Sequence, residues 1–205
     1  MAIEKINKVL LVFTVFFIAC PTHRSVIGGT LSSDRYDKQV VFWVPMDGYH
    51  SKPVDSTHIQ KNTFRLVISP HNLNKMGIIR VRPQLRLALQ DIFVFTKAGT
   101  EHVHLDSISR ATGTPLNETL QCWKDRKRTY DVDICTLRRK YRAADIDDQP
   151  SISAEIENVF AEYHNDIYQI IVENKDNKLG KFLYSLPKRR FTPEQNEDLS
   201  NSHLE

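Results

Sequence analysis

The spacing of the hydrophobic residues changes along this chain, and that change most constrains its fold. Over Asn62–Ser69, hydrophobic and polar residues alternate, with Phe64, Leu66 and Ile68 on one face. Alternation of this kind predicts a half-buried β-strand. After Thr114 the spacing becomes that of an amphipathic helix. A chain of 205 residues that carries both periods, with 40% hydrophobic and 26% charged residues, is expected to form one α+β domain with a mostly antiparallel sheet.

Short hydrophobic or β-branched runs predict further strands. These runs are Lys38–Met46, Gly77–Arg82, Ile92–Thr96 and Glu101–Asp106. Ala98 and Gly99 predict a turn, so the last two strands are expected to pair as an antiparallel hairpin. At the other end of the domain, Ile167–Glu173 and Lys181–Leu186 predict a second hairpin.

Two amphipathic helices are predicted between these hairpins. Thr114 is a good N-cap and Pro115 suits the first helical position, which predicts a helix over 115–128. A second helix is expected after Pro150, with Ser151 as its cap. Its apolar stripe consists of Ile152, Ile156, Val159, Phe160 and Tyr163. An irregular strand is expected between the two helices.

The N-terminal residues 1–20 have the order of a secretory signal. Lys5 and Lys8 precede an apolar run, Val9–Ala19. As a helix this run would reach about 16 Å, roughly half of a ~30 Å hydrocarbon core, so it is too short to span a membrane. We therefore expect the chain to be exported and this segment to be removed.

The segment Phe17-Ile18-Ala19-Cys20 resembles the lipobox of bacterial lipoproteins. The resemblance implies that Cys20 is diacylated and becomes the new N-terminus, so that the domain is anchored to a membrane of the cell envelope. Plain secretion is the alternative. Behind this cysteine, the composition predicts a flexible tether over 21–36, the α+β domain over 37–187 and a disordered polar tail over 188–205.

Two cysteines, Cys122 and Cys135, remain after the leader. In an oxidising compartment a lone pair of cysteines is most simply a disulfide, which here would stabilise the domain by roughly 3 kcal/mol. The alternative is two unpaired thiols.

A single cluster in the sequence carries metal-ligand residue types. On a strand, His102, His104 and Asp106 point to one face, and imidazole with carboxylate suits zinc. The pattern is similar to part of the metallo-β-lactamase signature, which continues with a histidine where this chain has Ser107. The alternative is a half-buried strand whose polar residues face water while Val103 and Leu105 face the core.

Basic residues are concentrated between Lys124 and Arg142, where they predict a face for an anionic partner. These residues are Lys124, Arg126, Lys127, Arg128, Arg138, Arg139, Lys140 and Arg142. Phosphates, anionic lipids and nucleic acid all fit such a face. Export of the chain argues against nucleic acid, because the lysines before the apolar run stay in the cytoplasm and the rest crosses the membrane.

Other common functional signatures are absent from the sequence. The chain has no GxSxG, P-loop, Rossmann glycine or HExxH motif, so we predict no catalytic residue and no cofactor. Asn117-Glu118-Thr119 is a glycosylation sequon, which has meaning only in a eukaryotic secretory pathway.

These patterns together favour an exported, lipid-anchored and noncatalytic envelope protein that binds another envelope or secretion component. Two alternatives remain open. One is an exported metal-dependent hydrolase that uses His102, His104 and Asp106, and the other is a secreted eukaryotic ligand or effector.

Overall fold

Strands come first and helices follow in the residues that the computed structural model describes, 24–46, 55–82, 89–186 and 191–202. The strands are β1 (Ser25–Leu31), β2 (Val40–Pro45), β3 (Asp55–His58), β4 (Thr63–Ile68), β5 (Met76–Arg82), β6 (Ile92–Phe95), β7 (Gly99–Leu105) and β8 (Arg110–Thr112). The helices are α1 (Pro115–Ala143), α2 (Gln149–Glu173), α3 (Lys178–Ser185) and α4 (Pro193–Asn201). The predicted α+β class is confirmed. The predicted leader and Cys20 lie outside the described residues.

The strands form two four-stranded sheets. The first sheet has the order β4-β1-β7-β8, and the second has the order β3-β2-β5-β6. All neighbours are antiparallel except β1 and β7, which are parallel. Each of the five strands predicted within 38–106 is present, so alternating hydrophobicity located them correctly.

The main hydrophobic core lies between the two sheets. Ile27 and Leu66 come from the first sheet, while Trp43 and Ile79 come from the second, and each is at most 1% exposed. Because side chains alternate along a strand, the opposite face of the first sheet carries the exposed and half-buried residues. That outer face is therefore built by the alternate residues of the same strands that close the core.

The predicted flexible tether over 21–36 is wrong from residue 25 onward. β1 lies in the interior of the first sheet, between β4 and β7, and Ile27 is fully buried. The two glycines within Ser25–Leu31 conceal the alternation in the sequence, although Ile27, Gly29 and Leu31 all face the core. The domain thus begins at Ser25 or earlier, and not at the predicted boundary at 37.

A buried carboxyl group fastens the start of β1 to β7. The Ser25 hydroxyl and the Lys97 backbone amide donate hydrogen bonds to the two oxygens of Glu101, each at 3.0 Å. Burial raises the pKa of Glu101, although these hydrogen bonds oppose the shift. The first described residues are consequently tied to the domain.

The hairpin predicted from Ile92–Thr96 and Glu101–Asp106 is wrong in its pairing. β6 belongs to the second sheet, where it pairs with β5, whereas β7 pairs with β1 and β8 in the first sheet. The short connection therefore passes from one sheet to the other. The alternation pattern predicts strands but does not choose their partners.

The helices are longer and more numerous than predicted. The helix predicted over 115–128 continues to Ala143, through the predicted irregular strand. The C-terminal hairpin predicted over 167–186 is wrong, because α2 extends to Glu173 and α3 follows. Ile167, Ile170 and Ile171 have helical spacing, and all three are buried against the other helices. Tertiary packing here outweighs the β-propensity of isoleucine.

The predicted disordered tail over 188–205 contains the helix α4. The side chains of Thr192 and Gln195 cap its first turn reciprocally, and Leu199 is 1% exposed in a second core. Met76 and Phe95 from the second sheet meet the helices in this core, as do Leu120, Trp123, Ile167, Ile170, Ile171, Leu179 and Leu183. Leu199, together with Phe191 and a hydrogen bond from the Tyr168 hydroxyl to Asp198 at 2.7 Å, thus docks a polar segment against the helices.

We expect Gly29→Ala to lower the free energy of unfolding by about 1–3 kcal/mol, because a Cβ at Gly29 would overlap the buried ring of Phe64. At Gly28, one residue earlier on the opposite face, a Cβ meets nothing closer than 3.9 Å. Gly28→Ala is therefore the matched control and should change stability little. Urea denaturation of both variants measures the difference, and equal stability would contradict this account of the β1 packing.

Candidate functional site

The outward-facing residues of the first sheet form a surface that we call the histidine face. Its members are Val26, Gly28 and Thr30 on β1, Thr63, Arg65 and Val67 on β4, Thr100, His102 and His104 on β7, and Arg110 and Thr112 on β8. Strand register places them in rows, in which Gly28 lies between Arg65 and His102. None of these positions is Asp or Glu. The face is therefore cationic and rich in hydroxyl groups.

The His102 ring is set against two glycines. Its Nδ1 lies 3.9 Å from the point where a Cβ would stand on Gly28, and its Cδ2 lies 3.2 Å from the same point on Gly113. Within the described part of the chain, neither ring nitrogen has a hydrogen-bond partner. This imidazole is positioned by packing and keeps its polar atoms available.

His104 is held by polar contacts instead. Its Nδ1 lies 2.8 Å from the Thr30 hydroxyl oxygen, and its Nε2 lies 3.6 Å from Oδ2 of Asp106. Asp106 also accepts a hydrogen bond from the Ile108 amide at 2.6 Å. Thr30 was missed by the sequence reasoning because it falls in the segment that was predicted to be a tether.

His102 and His104 share one face of β7, as predicted, whereas Asp106 lies just past the end of the strand. Only His104 and Asp106 are in contact. Over the described ranges, no group of three or more histidine, cysteine or acidic side chains is placed to hold a metal ion. The neighbours of these residues on the face are arginine and threonine. The metal interpretation of this cluster consequently gains no support from its geometry.

Thr30, His104 and Asp106 form a chain of hydroxyl, imidazole and carboxylate groups. Such an order suits a nucleophile activated by a base. However, Thr30 lies on a strand that is paired on both sides, so the β1 amides are committed to the ladders and cannot stabilise an oxyanion. The 3.6 Å separation of His104 and Asp106 also exceeds hydrogen-bond length. The geometry favours binding over acyl transfer.

The predicted disulfide between Cys122 and Cys135 is wrong. Both are free, exposed cysteines on the single helix α1. Thirteen residues of helix separate their Cα atoms by about 20 Å, whereas a disulfide requires less than about 7 Å. The prediction failed because it assumed that the helix ended near residue 128.

Five of the eight predicted cationic side chains already have partners. Lys124 Nζ donates to the Ser109 carbonyl at 2.7 Å, and the others pair with carboxylates. These ion pairs are Arg126 with Asp166 at 2.7 Å, Arg128 with Asp125 at 2.9 Å, Lys140 with Glu155 at 3.5 Å, and Lys127 with Asp131. The eight residues therefore do not form one free anion-binding face.

The remaining three, Arg138, Arg139 and Arg142, are exposed near the end of α1. They have no ion-pair or hydrogen-bond partner among the described residues. They lie on the distal part of the helical hairpin, residues 127–163, which we call the arm. Of the eight predicted cations, the three without a partner among the described residues thus all lie on the arm.

The arm has little core of its own. Ile134 and Ile152 are its buried hydrophobic residues, and Tyr130 stacks on Tyr163 at 4.1 Å between ring centroids. Val132 is 58% exposed, and Ile146 in the loop is 83% exposed. Helices gain most of their stability from packing, so this part of the hairpin offers its surface to solvent or to a partner.

The arm lies beyond the end of the first sheet that is opposite to the start of β1. Gly113, just before α1, is beside Thr100, which is level with the first residues of β1. By Lys124 the helix is level with Ser109, near the other end of the sheet. The remaining residues of α1, up to Ala143, extend it by about 28 Å in that direction.

Asn117 is not available as a glycan acceptor. It is fully buried, its side chain accepts a hydrogen bond from the Phe95 amide at 2.8 Å, and it donates to the Phe95 carbonyl at 3.0 Å. The Asn117 side chain therefore joins α1 to β6. This removes the one sequence feature that favoured a glycosylated eukaryotic ligand.

By architecture the chain is a two-sheet α+β domain with a projecting helical hairpin. No protein-family model, no curated protein and no solved structure matches it. Among the described helices, none combines the length and the apolar character needed to cross a membrane.

Burial lowers the pKa of Lys124 to about 8, and the positive charges of Arg128 and Arg110 add to the shift while Asp125 opposes it. The unfolded chain therefore binds more protons at this lysine between pH 8 and about 10.5, so the contribution of Lys124 to stability rises with pH over that range. We expect Lys124→Met to remove this rise. Urea denaturation at pH 7.5, 8.5 and 9.5 measures it, and identical pH slopes for the variant and the natural protein would contradict the burial of the ammonium group.

Proposed function

We propose that this protein is an exported, noncatalytic protein of the cell envelope, anchored through a lipid on Cys20, that binds another envelope or secretion component through the arm. The observation that carries the proposal is the arm itself. It is a long helical hairpin that contains two buried hydrophobic residues and displays Val132 and Ile146 to solvent.

Charge indicates the chemistry of the partner. Arg138, Arg139 and Arg142 are exposed and have no partner among the described residues, so they complement an acidic surface. Val132 and Tyr141 supply apolar and aromatic area on the same helix, a combination that is typical of protein interfaces. The proposed partner is accordingly a protein with an acidic surface and an apolar centre.

The position of the arm supports a protein partner over the anchoring membrane. Cys20 precedes β1 in the chain, and the arm extends from the opposite end of the sheet. A domain attached through Cys20 would hold the arm away from the lipid surface.

The arm is tested by cross-linking in cells from photoreactive residues placed at Val132 and Ile146, with exposed Ile108 as the control position outside the arm. We expect one protein to be captured from both arm positions. The captured protein, once purified, should bind the triple variant Arg138→Glu, Arg139→Glu, Arg142→Glu about tenfold more weakly than it binds the natural protein. Added salt should weaken its binding to the natural protein.

A matched triple variant, Lys97→Glu, Lys175→Glu, Lys178→Glu, makes the same change in net charge at exposed positions outside the arm. It should retain binding. Equal capture from Ile108, equal weakening by both triple variants, or binding of the arm to anionic vesicles in place of a protein would each refute the proposed interface.

The lipid anchor is tested by replacing Cys20 with Ala and fractionating the cells. We expect the natural chain to sediment with membranes and the variant to appear in the soluble fraction, because acyl chains provide the anchorage. A processed variant that still sediments with membranes would contradict the anchor and leave the arm experiment unaffected.

A further inference from the structure

We propose that the histidine face is a binding site for an anionic oxygen group, a phosphate or a carboxylate, which occupies the trough above Gly28 between Arg65 and His102. This site is separate from the arm, and it does not depend on the function proposed above.

The trough exists because Gly28 has no side chain. Strand register places Arg65 of β4 and His102 of β7 on either side of it. An added Cβ at Gly28 would make only ordinary van der Waals contacts, with the Glu101 carbonyl oxygen and His102 Nδ1 at 3.9 Å, so the position has room for a small group. This space is part of a shallow cavity of about 500 Å³ whose lining includes Gly28, Thr30, His102, His104, Arg110 and Thr112.

Two of the flanking groups are unpaired donors. Neither the Arg65 guanidinium nor the His102 ring has a hydrogen-bond or ion-pair partner among the described residues. Arg110, at the far side of the cavity, is 3.8 Å from Asp125, which is a weak pairing. His102 and Arg110 line the cavity, and strand register places Arg65 next to Gly28 on the β4 side. Guanidinium and imidazole groups in this arrangement are suited to charge-assisted hydrogen bonds with phosphate or carboxylate oxygens.

The distribution of acidic residues also favours an anion. The face itself has no Asp or Glu. Asp106 lies beside His104, Asp125 lies beside Arg110, and Glu118 accepts a hydrogen bond from the Gly113 amide, next to the His102 ring. All three are on the β7–β8 side of Gly28, away from Arg65. A cation would therefore meet positive potential at the trough, whereas an anion would be attracted to it.

The site is tested by titrating inorganic phosphate into the purified, isotopically labelled protein and following the backbone amide signals. We expect saturable shifts at Gly28, Arg65 and His102. Gly28→Val should fill the trough, and His102→Ala should remove a donor. Each should weaken phosphate binding about tenfold, the effect of one hydrogen bond to a charged group. Arg139→Ala, on the arm, is the control and should leave binding unchanged.

Acetate and phosphatidylglycerol vesicles distinguish the possible sources of the anion. Shifts at the trough with acetate as well as phosphate assign a general oxyanion site, and shifts with phosphate alone assign a phosphate site. Vesicle binding that Gly28→Val abolishes assigns a lipid headgroup as the source.

The proposal is overturned if no probe shifts the trough signals, if the shifts map to the arm, or if folded Gly28→Val binds as well as the natural protein. If Gly28→Val does not fold, His102→Ala replaces it in the test. Phosphate binding by His102→Ala that equals that of the natural protein would then overturn the proposal.

Discussion

β1 is held between β4 and β7, and both the core and the outer surface of the first sheet depend on that position. Its adjacent glycines act on opposite faces. Gly29 lets the ring of Phe64 lie against the backbone and close the core, while Gly28 leaves open space beside His102. Side chains at both positions would alter the core on one face and fill the trough on the other. One short segment therefore couples the packing of the domain to the shape of its proposed anion site.

The two proposed surfaces differ in how they are supported. The histidine face stands on the main core, so its side chains occupy fixed positions, as the contacts of His104 with Thr30 and Asp106 illustrate. The arm is held by buried Ile134 and Ile152, by the stacking of Tyr130 on Tyr163 and by the ion pair of Lys140 with Glu155 between its helices. Exposed ion pairs contribute little stability, so the arm is expected to open locally at lower free energy than the sheets. A rigid face suits a small anion, and an adaptable hairpin suits a protein.

Local periodicity was sufficient for five strands within 38–106 and for the beginning of α1. It missed β3, and α2 begins at Gln149, before its predicted cap Ser151. It failed where a residue depends on distant partners. β1 was missed because glycine replaces a hydrophobic residue at Gly29, and that choice is explained only by Phe64 of another strand. The end of α2 was mistaken for a strand because its isoleucines have high β-propensity, although helical packing buries them. His102 and His104 were correctly placed on one face, whereas Thr30 and Arg65 join them only through strand register.

The parallel pairing of β1 with β7 has a consequence for the order in which the domain can form. Thr30 and His104 are 74 residues apart in the chain, and no local hairpin can bring them together. Such distant pairing slows folding, because the loop must close before its contacts stabilise it. During synthesis, β1 therefore lacks its pairing with β7 until β7 has been synthesised. For a chain exported with its N-terminus first, this delay would keep the leading segment extended and competent for passage across a membrane.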